Sequence, residues 1–236
     1  TGGAGFIGSA VVRLAVARGH DVVNLDALTY AACLDNVASV AGSPHYAFEQ
    51  ADIRDRAALD RVLAAHQPDA IMHLAAESHV DRSIDGPGDF IDTNVTGTFN
   101  LLEAARAYWT RAGKPDGFRF HHISTDEVFG SLGPDGLFTE TTAYDPSSPY
   151  SASKIGADRF AESYFRSFNL PVTIVRPFNT YGPRQSARAV IPTIITQLVA
   201  GQRQIHLGAT SPTRDFNYVQ DTVRAFLATL ESSEGH

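Results

Sequence analysis

The chain has 236 residues, 43% of them hydrophobic and 19% charged, a composition that is typical of a folded globular protein and excludes a largely disordered chain. Its net charge of −7 is spread without long blocks of one sign, which argues against a nucleic-acid surface because such a surface is basic. The single cysteine, Cys33, cannot form an internal disulfide, and the sequence shows neither a signal peptide nor an apolar run of about 18 residues, so we expect a cytoplasmic protein without a membrane span.

A glycine motif opens the chain. The stretch TGGAGFIGS places Gly2, Gly5 and Gly8 three residues apart, and a helical pattern follows over 9–20. This spacing suits a turn in which backbone amides approach a pyrophosphate at a helix N-terminus. A tight strand-to-helix turn without a ligand is the alternative. The motif requires a strand before it, so we expect the sequence to be an N-terminally clipped fragment.

Acidic residues end the next two predicted strands. Asp26 lies eighteen positions after Gly8, where its carboxylate would accept a hydrogen bond from a ribose 2′-hydroxyl, and this favours NAD over NADP. Ala27 stands where an arginine could bind a 2′-phosphate. Asp52 ends the later strand and Ile53 follows it. Asp52 would meet an adenine amino group, with a helix N-cap or a surface aspartate as an equal alternative.

Apolar runs alternate with helical patterns along most of the chain. The apolar runs predict strands at 21–26, 45–52, 69–76, 118–125 and 171–179. Helical patterns occur at 9–20, 55–66, 88–112 and 149–168. This alternation predicts an α/β fold with a Rossmann-type, doubly wound parallel sheet.

The composition changes after about residue 180. The sequence there predicts a helix near 190–200, a short strand near 204–208 and a helix near 219–231. We interpret residues 1–179 as an NAD-binding Rossmann domain without its first strand. Residues 180–236 would form a smaller, incomplete lobe that binds the substrate and its nucleotide.

Small and polar residues follow the strand at 69–76, in the stretch LAAESHVDRS. Ala75 and Ala76 are small enough to let the backbone approach a ligand closely, and Ser78 and His79 add polar groups. We therefore expect this loop to form part of the cofactor site. A structural role for His79 is the alternative, since a lone histidine is more often structural than catalytic.

Two adjacent carboxylates, Asp126 and Glu127, lie at the end of a predicted buried strand in HHISTDEVFGS. On a regular strand their side chains would point to opposite faces. Both can act on one substrate only if the chain leaves strand geometry there, which Gly130 permits. Acid and base roles would also require environments that separate their pKa values. A helix cap or a solvated turn is the alternative.

A tyrosine and a lysine lie four residues apart in SPYSASK, at Tyr150 and Lys154. Pro149 suits a first helical position, and residues i and i+4 share one face of a helix. A nearby ammonium and a positive nicotinamide ring would lower the pKa of the tyrosine, which is ordinarily about 10. Such a pair can take a hydroxyl proton while hydride leaves the same carbon. The alternative is a solvated helix face.

With these residues in place, the chain resembles the extended short-chain dehydrogenase/reductases that act on nucleotide sugars, and among them the 4,6-dehydratases. The resemblance is carried, over about residues 1–154, by TGGAGFIGSA, NLDALTYA, LAAESHVDRSIDGP, DTNVTGTFNLLEAAR, HHISTDEVFG and TETTAYDPSSPYSASK. In that family the Thr-Asp-Glu sequence distinguishes dehydratases from epimerases. The resemblance implies bound NAD that is regenerated in each turnover, with dTDP-glucose as substrate and dTDP-4-keto-6-deoxyglucose as product.

The same resemblance implies a role for each catalytic residue. Tyr150, assisted by Lys154, would take the proton of the C4 hydroxyl as NAD takes the C4 hydride. Glu127 would then remove the C5 proton, and Asp126 would protonate the departing C6 hydroxyl. Thr125 would hydrogen-bond the C4 oxygen.

Binding roles fall, by the same resemblance, on residues that match the family's motifs. The cofactor would contact Gly2, Gly5, Phe6, Ile7, Gly8, Asp26, Leu28, Thr29, Asp52, Ile53, Leu74, Ala75, Ala76, Ser78, Thr93, Tyr150 and Lys154. The substrate would contact Ser78, His79, Thr125, Asn179, Val190 and Arg214. No metal site is expected.

The C-terminal half departs from the dTDP-glucose pattern. In RPFNTYGPRQSARAVIP, Asn179 matches a substrate-contacting asparagine, but Thr180 stands where a second asparagine is usual and Ala189 where a lysine is usual. This half is more similar to dehydratases or epimerases that act on UDP-N-acetylglucosamine or GDP-linked sugars. A UDP-N-acetylglucosamine or GDP-mannose 4,6-dehydratase, or a nucleotide-sugar epimerase, is therefore the alternative function.

A decarboxylase of the same family and a non-catalytic NAD-sensing protein are further alternatives. Asp126 argues against an epimerase or a decarboxylase, because reduction at C4 needs no acid at C6. The intact Tyr150, Lys154 and carboxylate pair argue against a sensor. The family also implies a homodimer, formed through the helices near 88–112 and 149–168, with a nucleotide sugar as the small-molecule partner and neither nucleic acid nor membrane as a partner.

Overall fold

Strands pair in parallel throughout the computed structural model, which describes residues 1–133 and 135–232. The strands are β1 (Val22–Asp26), β2 (Tyr46–Gln50), β3 (Ala70–His73), β4 (Arg119–Ile123), β5 (Val172–Val175), β6 (Asn179–Tyr181) and β7 (Phe216–Tyr218). β1 pairs with β2, β4 lies between β3 and β5, and β6 pairs with β7. The five strands predicted in the first 179 residues are confirmed, each shorter than the apolar run that predicted it.

The first two residues connect β1 to β3. The backbone N–H of Gly2 donates to the carbonyl of Leu25 at 2.9 Å. On the other side, Thr1 accepts from the N–H of Leu74 at 3.2 Å and its amino group donates to the carbonyl of Met72 at 2.7 Å. The glycine motif therefore begins between these strands, near their carboxyl ends, which is the edge of a parallel sheet where ligands bind.

Helices connect these strands. They are α1 (Phe6–Ala17), α2 (Arg56–His66), α3 (Val80–Asp85), α4 (Pro87–Phe90), α5 (Thr98–Arg111), α6 (Pro149–Phe168), α7 (Val190–Val199) and α8 (Val219–Glu231). Two 3₁₀ helices occur at Leu34–Val40 and Asp126–Phe129, and a π-helix at Ile91–Gly97. The helices predicted at 9–20, 55–66, 149–168, 190–200 and 219–231 are confirmed, with α1 beginning three residues earlier than the pattern indicated.

The single helix predicted over 88–112 is wrong, because the segment divides into α4, the π-helix and α5. The wider π-helical turn holds Asn94, whose buried side chain bonds to a neighbouring loop. It also ends at Gly97, where a Cβ would lie 2.7 Å from the side chain of Ile53. Tertiary contacts of this kind override a regular helical pattern.

The strand predicted near 204–208 is also wrong. That segment has no strand conformation, and the residues that do pair with β6 are those of β7, further along the chain. A short apolar run becomes a strand only where a neighbouring strand can accept its backbone hydrogen bonds.

Helices cover both faces of the sheet, which confirms the doubly wound arrangement. One face packs α2, α5 and α6 against Phe120 of β4, through residues such as Leu102 and Ala161. The other face packs α1 and α8 against Ile123 of β4, through residues such as Phe226. Because α8 belongs to this core, part of the segment 180–236 packs on the first domain, and the boundary after residue 179 stays a prediction.

α7 differs from the other long helices because it buries no residue. Ile195, Leu198 and Val199 are 54%, 57% and 83% exposed. Its length is 10 residues, and no helix in residues 1–133 and 135–232 is long and apolar enough to cross a membrane.

Candidate active site

The glycine turn precedes α1 in the arrangement that the sequence predicted. α1 begins at Phe6, with Gly5 before it and no side-chain cap, so the first amides of the helix lack the partners that a cap supplies. At Gly8 a Cβ would lie 2.0 Å from the carbonyl oxygen of Gly2, so only glycine lets the helix approach the turn this closely. These residues therefore fit a pyrophosphate at a helix N-terminus.

Asp26 is buried at the end of β1, beside this turn. Its two carboxylate oxygens accept from the backbone N–H of Ala4 at 2.9 Å and of Leu28 at 2.8 Å. A carboxylate has about four acceptor positions, so two bonds leave capacity for ribose hydroxyls. Leu28 has a φ of 55°, a left-handed conformation that turns the chain away from the strand at this point. Thr29 follows, exposed.

The loop after β3 is held by Asn94 of the π-helix. The Asn94 side chain accepts from the N–H of Glu77 at 2.8 Å and donates to its carbonyl at 2.9 Å. Its amide also donates to Ser153 at 2.9 Å, and Ser153 donates to the carbonyl of Tyr150 at 2.7 Å. Asn94 was not predicted from the sequence, where the only signal is an asparagine inside an otherwise helical pattern.

The loop after β3 also contacts the glycine turn and the loop after β1. The N–H of Ala75 donates to the hydroxyl of Thr1 at 3.3 Å. Tyr30 donates to Glu77 at 2.6 Å, and its hydroxyl lies 3.3 Å from Nδ1 of His79. Three of the predicted cofactor segments are thus brought together: the glycine turn, the loop after β1 and the loop after β3.

Asp126 and Glu127 leave strand geometry as the sequence analysis required. They begin the 3₁₀ helix at the end of β4, and Thr125 caps it by accepting from the N–H of Glu127 at 3.2 Å. The Thr125 hydroxyl also donates to Asp126 at 3.3 Å. Gly130 ends the turn with a φ of 75°, a conformation that favours glycine. Both carboxylates are half-buried.

Burial raises the pKa of both carboxyl groups. For Asp126 the hydrogen bond from Thr125 and the charge of Arg214 oppose this rise in pKa. For Glu127 the charge of Asp126 adds to the rise in pKa, and Arg214 again opposes it. The pKa values of Asp126 and Glu127 are therefore both raised. The sequence predicted that acid and base roles need different pKa values, and the directions of the two shifts do not show such a difference.

Tyr150 and Lys154 lie buried in the first two turns of α6. Ser148 caps this helix with its side chain, Ser151 completes a capping box, and Pro149 occupies a first-turn position. Nζ of Lys154 donates to the carbonyl of Ile123, the last residue of β4, at 2.8 Å. The cap and this contact bring the Tyr–Lys pair beside the carboxylate turn, because that turn follows β4 directly.

The pKa of Tyr150 is raised in the protein alone, not lowered as the sequence analysis expected. Desolvation by burial is the main cause, and the hydrogen bond with Thr125 only partly opposes it. The charges of Glu127, Asp126 and Asp158 raise the pKa of Tyr150 further. A phenolate at neutral pH therefore depends on a positive charge in addition to those of the protein.

Other predicted binding residues lie outside this cluster. Asp52 pairs with Arg54 through both oxygens, with distances of 2.6–3.1 Å. It does not cap α2, because Asp55 does. The side chain of Ile53 lies in the core. Val190 and Arg214 are exposed on the C-terminal segment. The remaining predicted residues are half-buried, namely Leu74, Ala76, Thr93 and Asn179, or exposed, as is Ser78.

These features define a Rossmann-fold protein of the short-chain dehydrogenase/reductase class, since a glycine turn, an acidic end of β1 and a Tyr–Lys pair on one helix occur together around the carboxyl ends of parallel strands. The chain belongs to the GDP-mannose 4,6 dehydratase family, whose family model matches residues 1–236.

Curated relatives show where the chain lies in this family. It is 56% identical over 229 residues to dTDP-glucose 4,6-dehydratase of Neisseria gonorrhoeae, covering 95% of this chain and 66% of the relative. It is 52% identical to dTDP-glucose 4,6-dehydratase 1 of Escherichia coli K12, with coverage of 95% and 66%. The chain thus spans about two thirds of the length of the curated relatives it matches, and the similarity extends well beyond residues 1–154.

Solved structures with the same fold include both dehydratases and epimerases. A double mutant of the Streptomyces venezuelae dTDP-glucose 4,6-dehydratase DesIV, with NAD and DAU bound, matches with a TM-score of 0.89 at 41% identity, over 99% of this chain and 71% of that one. The UDP-glucose 4-epimerase of Thermotoga maritima matches with a TM-score of 0.86 at 30% identity, over 98% and 72%.

Proposed function

We propose that this protein catalyses the NAD-dependent dehydration of dTDP-glucose to dTDP-4-keto-6-deoxyglucose. The observation that carries the proposal is the carboxylate turn: Asp126 and Glu127 follow β4 directly, beside the buried Tyr150 and Lys154. The relatives named dTDP-glucose 4,6-dehydratases support the same reaction and substrate.

The residues of the glycine turn fit NAD. The uncapped start of α1 offers amides to a pyrophosphate, and Asp26 retains acceptor capacity for ribose hydroxyls. Ala27, beside it, supplies no positive charge for a 2′-phosphate. Bound NAD would supply the acceptor for the C4 hydride of the sugar and would return that hydride to C6. The nicotinamide would also supply the positive charge that the raised pKa of Tyr150 requires.

The protein's own groups move the protons. Tyr150 takes the proton of the C4 hydroxyl, with the ammonium of Lys154 stabilising the phenolate. Thr125 donates to the C4 oxygen. Once C4 is a ketone, the C5 proton is acidic, and Glu127 removes it as Asp126 protonates the leaving C6 hydroxyl. The raised pKa of Asp126 favours its protonated form relative to an ordinary aspartate, which is the direction that a proton donor needs.

The two adjacent carboxylates suit these roles, because Asp126 must be protonated to act as the acid and Glu127 must be ionised to act as the base. They are adjacent and repel each other when both are charged, so protonation of one favours ionisation of the other. An epimerase needs neither group, since it returns hydride to C4. The carboxylate pair therefore favours the dehydratase over the epimerases that share the fold.

Substrate recognition falls on the C-terminal segment in this proposal. Asn179 and Val190 would contact the nucleotide sugar, and Arg214, whose charge already acts on both carboxyl groups, would contact the diphosphate. Ser78 and His79 would contact the sugar from the loop after β3. Residues 1–179 would bind NAD, and 180–236 would form part of the substrate lobe.

A homodimer and a cytoplasmic location are part of the same proposal. Exposed aromatic side chains support the dimer: Phe99 of α5 and Phe160 of α6 contact each other at 5.9 Å between ring centroids and are both 39% exposed. A second copy would cover them. The single, exposed Cys33 fits a reducing compartment.

Product analysis tests the reaction. The full-length enzyme is offered dTDP-glucose, UDP-N-acetylglucosamine and GDP-mannose in parallel, without added NADH. We expect loss of water and a 4-keto-6-deoxy product from dTDP-glucose, and inversion at C4 without loss of water would refute the proposal. Preference for either of the other sugars would refute the assigned nucleotide but not the reaction.

The carboxylate variants test the assigned roles. Asp126→Asn and Glu127→Gln should each slow elimination by about 10²-fold or more while sparing oxidation at C4, so reduced nicotinamide should accumulate and be visible by its absorbance. Unchanged turnover without accumulation would contradict these roles.

A further inference from the structure

A third ionisable side chain, Asp158, is buried on α6 one turn beyond Lys154. The two residues are four apart and so share one face of the helix. Asp158 is 1% exposed and Lys154 is 4% exposed. Burying a carboxylate costs desolvation free energy unless other groups compensate its charge. The groups around Asp158 therefore indicate how its charge is stabilised.

Three groups from other elements surround the Asp158 carboxylate. Oδ2 accepts from Nε of Arg176 at 3.1 Å, lies 3.0 Å from its Nη2, and accepts from the Tyr144 hydroxyl at 3.4 Å. Oδ1 lies 3.2 Å from Nε2 of His122 on β4. Arg176 also donates to Tyr144. These contacts hold the pKa of Asp158 below its ordinary value despite burial, so the carboxylate is charged.

Lys154, in contrast, is buried without a close anion. Its one hydrogen bond to protein is to the carbonyl of Ile123, and no carboxylate in residues 1–133 and 135–232 lies within 4.0 Å of its amine. Burial lowers the pKa of Lys154 to about 8, and the charge of Asp158 is what opposes this fall. The amine is thus near the point of losing its proton in the neutral range.

The other groups around Lys154 cannot replace this anion. His73 of β3 and His122 of β4 are buried, and the charge of Lys154 is among the causes that lower the pKa of each. Tyr150 has a raised pKa and is neutral. Arg176 faces Asp158 and carries a positive charge.

We propose that Asp158 is a positioning residue for the Tyr150–Lys154 pair: its carboxylate, shared with Arg176 and His122, keeps the buried amine of Lys154 charged at neutral pH. Its effect on the reaction rests on the proposed function, because the charged amine is what stabilises the Tyr150 phenolate. Its effect on Lys154 does not depend on any substrate.

The charge of Lys154 can be measured directly in protein labelled at its lysines, where the resonance that is missing from Lys154→Met belongs to Lys154. Protein labelled with [13C]lysine is titrated by NMR, and the exposed Lys114 serves as the internal reference, assigned by Lys114→Arg. In Asp158→Asn we expect the midpoint of the Lys154 titration to fall by about one pH unit.

Arg176→Gln gives a signed comparison. It removes the charge that competes for the Asp158 carboxylate, so the Lys154 midpoint should rise, whereas a merely structural disturbance would move both variants in the same direction. Glu162→Gln is the matched control: it is a carboxylate-to-amide change on the same helix, facing Arg159 and Arg166, and it should leave the midpoint unchanged.

Equal downward shifts in Asp158→Asn and Arg176→Gln would overturn the proposal. If Asp158→Asn does not fold, absence of a rise in Arg176→Gln overturns it alone.

The pH profile of kcat adds the catalytic readout. The alkaline limb, where Lys154 loses its proton, should move to lower pH in Asp158→Asn and not in Glu162→Gln. An enzyme with no dehydratase activity would refute the proposed function and leave the NMR result to decide the role of Asp158. A shifted NMR midpoint with an unchanged kcat profile would overturn the link from Asp158 to Tyr150.

Discussion

Of the proposed site, helix α6 carries Tyr150 and Lys154 and helix α7 carries Val190, and the two helices are built in opposite ways. α6 buries Tyr150 and Lys154 against the sheet and begins with a capping box. α7, which begins at Val190, buries nothing and has no side-chain cap. The groups proposed to transfer protons from α6 thus lie in the packed part of the chain, whereas Val190 and Arg214 lie on exposed surface.

In the proposed site, the residues for proton transfer and the residues for nucleotide recognition thus lie in differently packed parts of the fold. Residues that must be desolvated to shift their pKa values come from β4 and α6, where packing fixes them. Residues that would select the nucleotide lie where a substitution costs little packing. Thr180, by contrast, is buried in β6 and its hydroxyl lies 3.4 Å from that of Thr222.

The largest effect should come from the packed half. Tyr150→Phe removes the group proposed to take the C4 proton, so kcat for dTDP-glucose should fall by about 10²–10⁴-fold. NAD binding should be retained, and product formation and titration with NAD measure the two effects. Tyr164→Phe is the matched control, because Tyr164 is also buried on α6 but donates to Glu103 at 2.6 Å. A comparable loss in Tyr164→Phe would show that disturbance of the helix, not proton transfer, explains the result.

A pair of core and surface variants compares the packing of the two halves. Leu102→Ala empties a fully buried position on α5 and should lower the free energy of unfolding by about 2–5 kcal/mol. Val199→Ala, on the exposed end of α7, should change it by less than about 0.5 kcal/mol. Denaturant titration of both variants checks the contrast. A large loss in Val199→Ala would mean that α7 is buried in solution, by a surface that covers it.

The smallest effect concerns the stability cost of the carboxylate turn. Burial raises the pKa of Glu127, so its folded state prefers the protonated form. The charge is therefore destabilising above that pKa. The cost begins to shrink as pH falls through it and is gone below the pKa of the unfolded state. Glu127→Gln should raise Tm by about 1–3 °C at pH 8, with the gain shrinking toward acidic pH. Calorimetry at several pH values, with Glu162→Gln for comparison, tests the sign; a gain that grows on acidification would contradict it.

Local signals explain what the sequence predicted well. Pro149 and the Ser148 cap fixed the start of α6, and hence the positions of Tyr150 and Lys154, because a helix start depends on neighbouring residues. The bend at Asp126 was also predictable, since two carboxylates cannot both face one substrate from a regular strand.

Non-local contacts explain what the sequence did not predict. The apolar residues near 204–208 look like a strand, but β6 pairs with Phe216–Tyr218 instead. Asn94 was missed because its partner Glu77 is seventeen residues away. The sequence shows Asp158 four residues after Lys154. Its proposed role depends on contacts with Arg176 and His122, which are distant in sequence and are brought to it by the fold.

The bond pattern of Asn94 has a consequence for how the site moves. The Asn94 side chain bonds both the N–H and the carbonyl of Glu77. A neighbouring strand would satisfy a backbone in the same way. The same amide reaches, through Ser153, the carbonyl of Tyr150. The loop that would hold the cofactor and the start of α6 are therefore linked through the side chains of Asn94 and Ser153. An opening of the site to exchange cofactor would have to move both together, or break this single amide free.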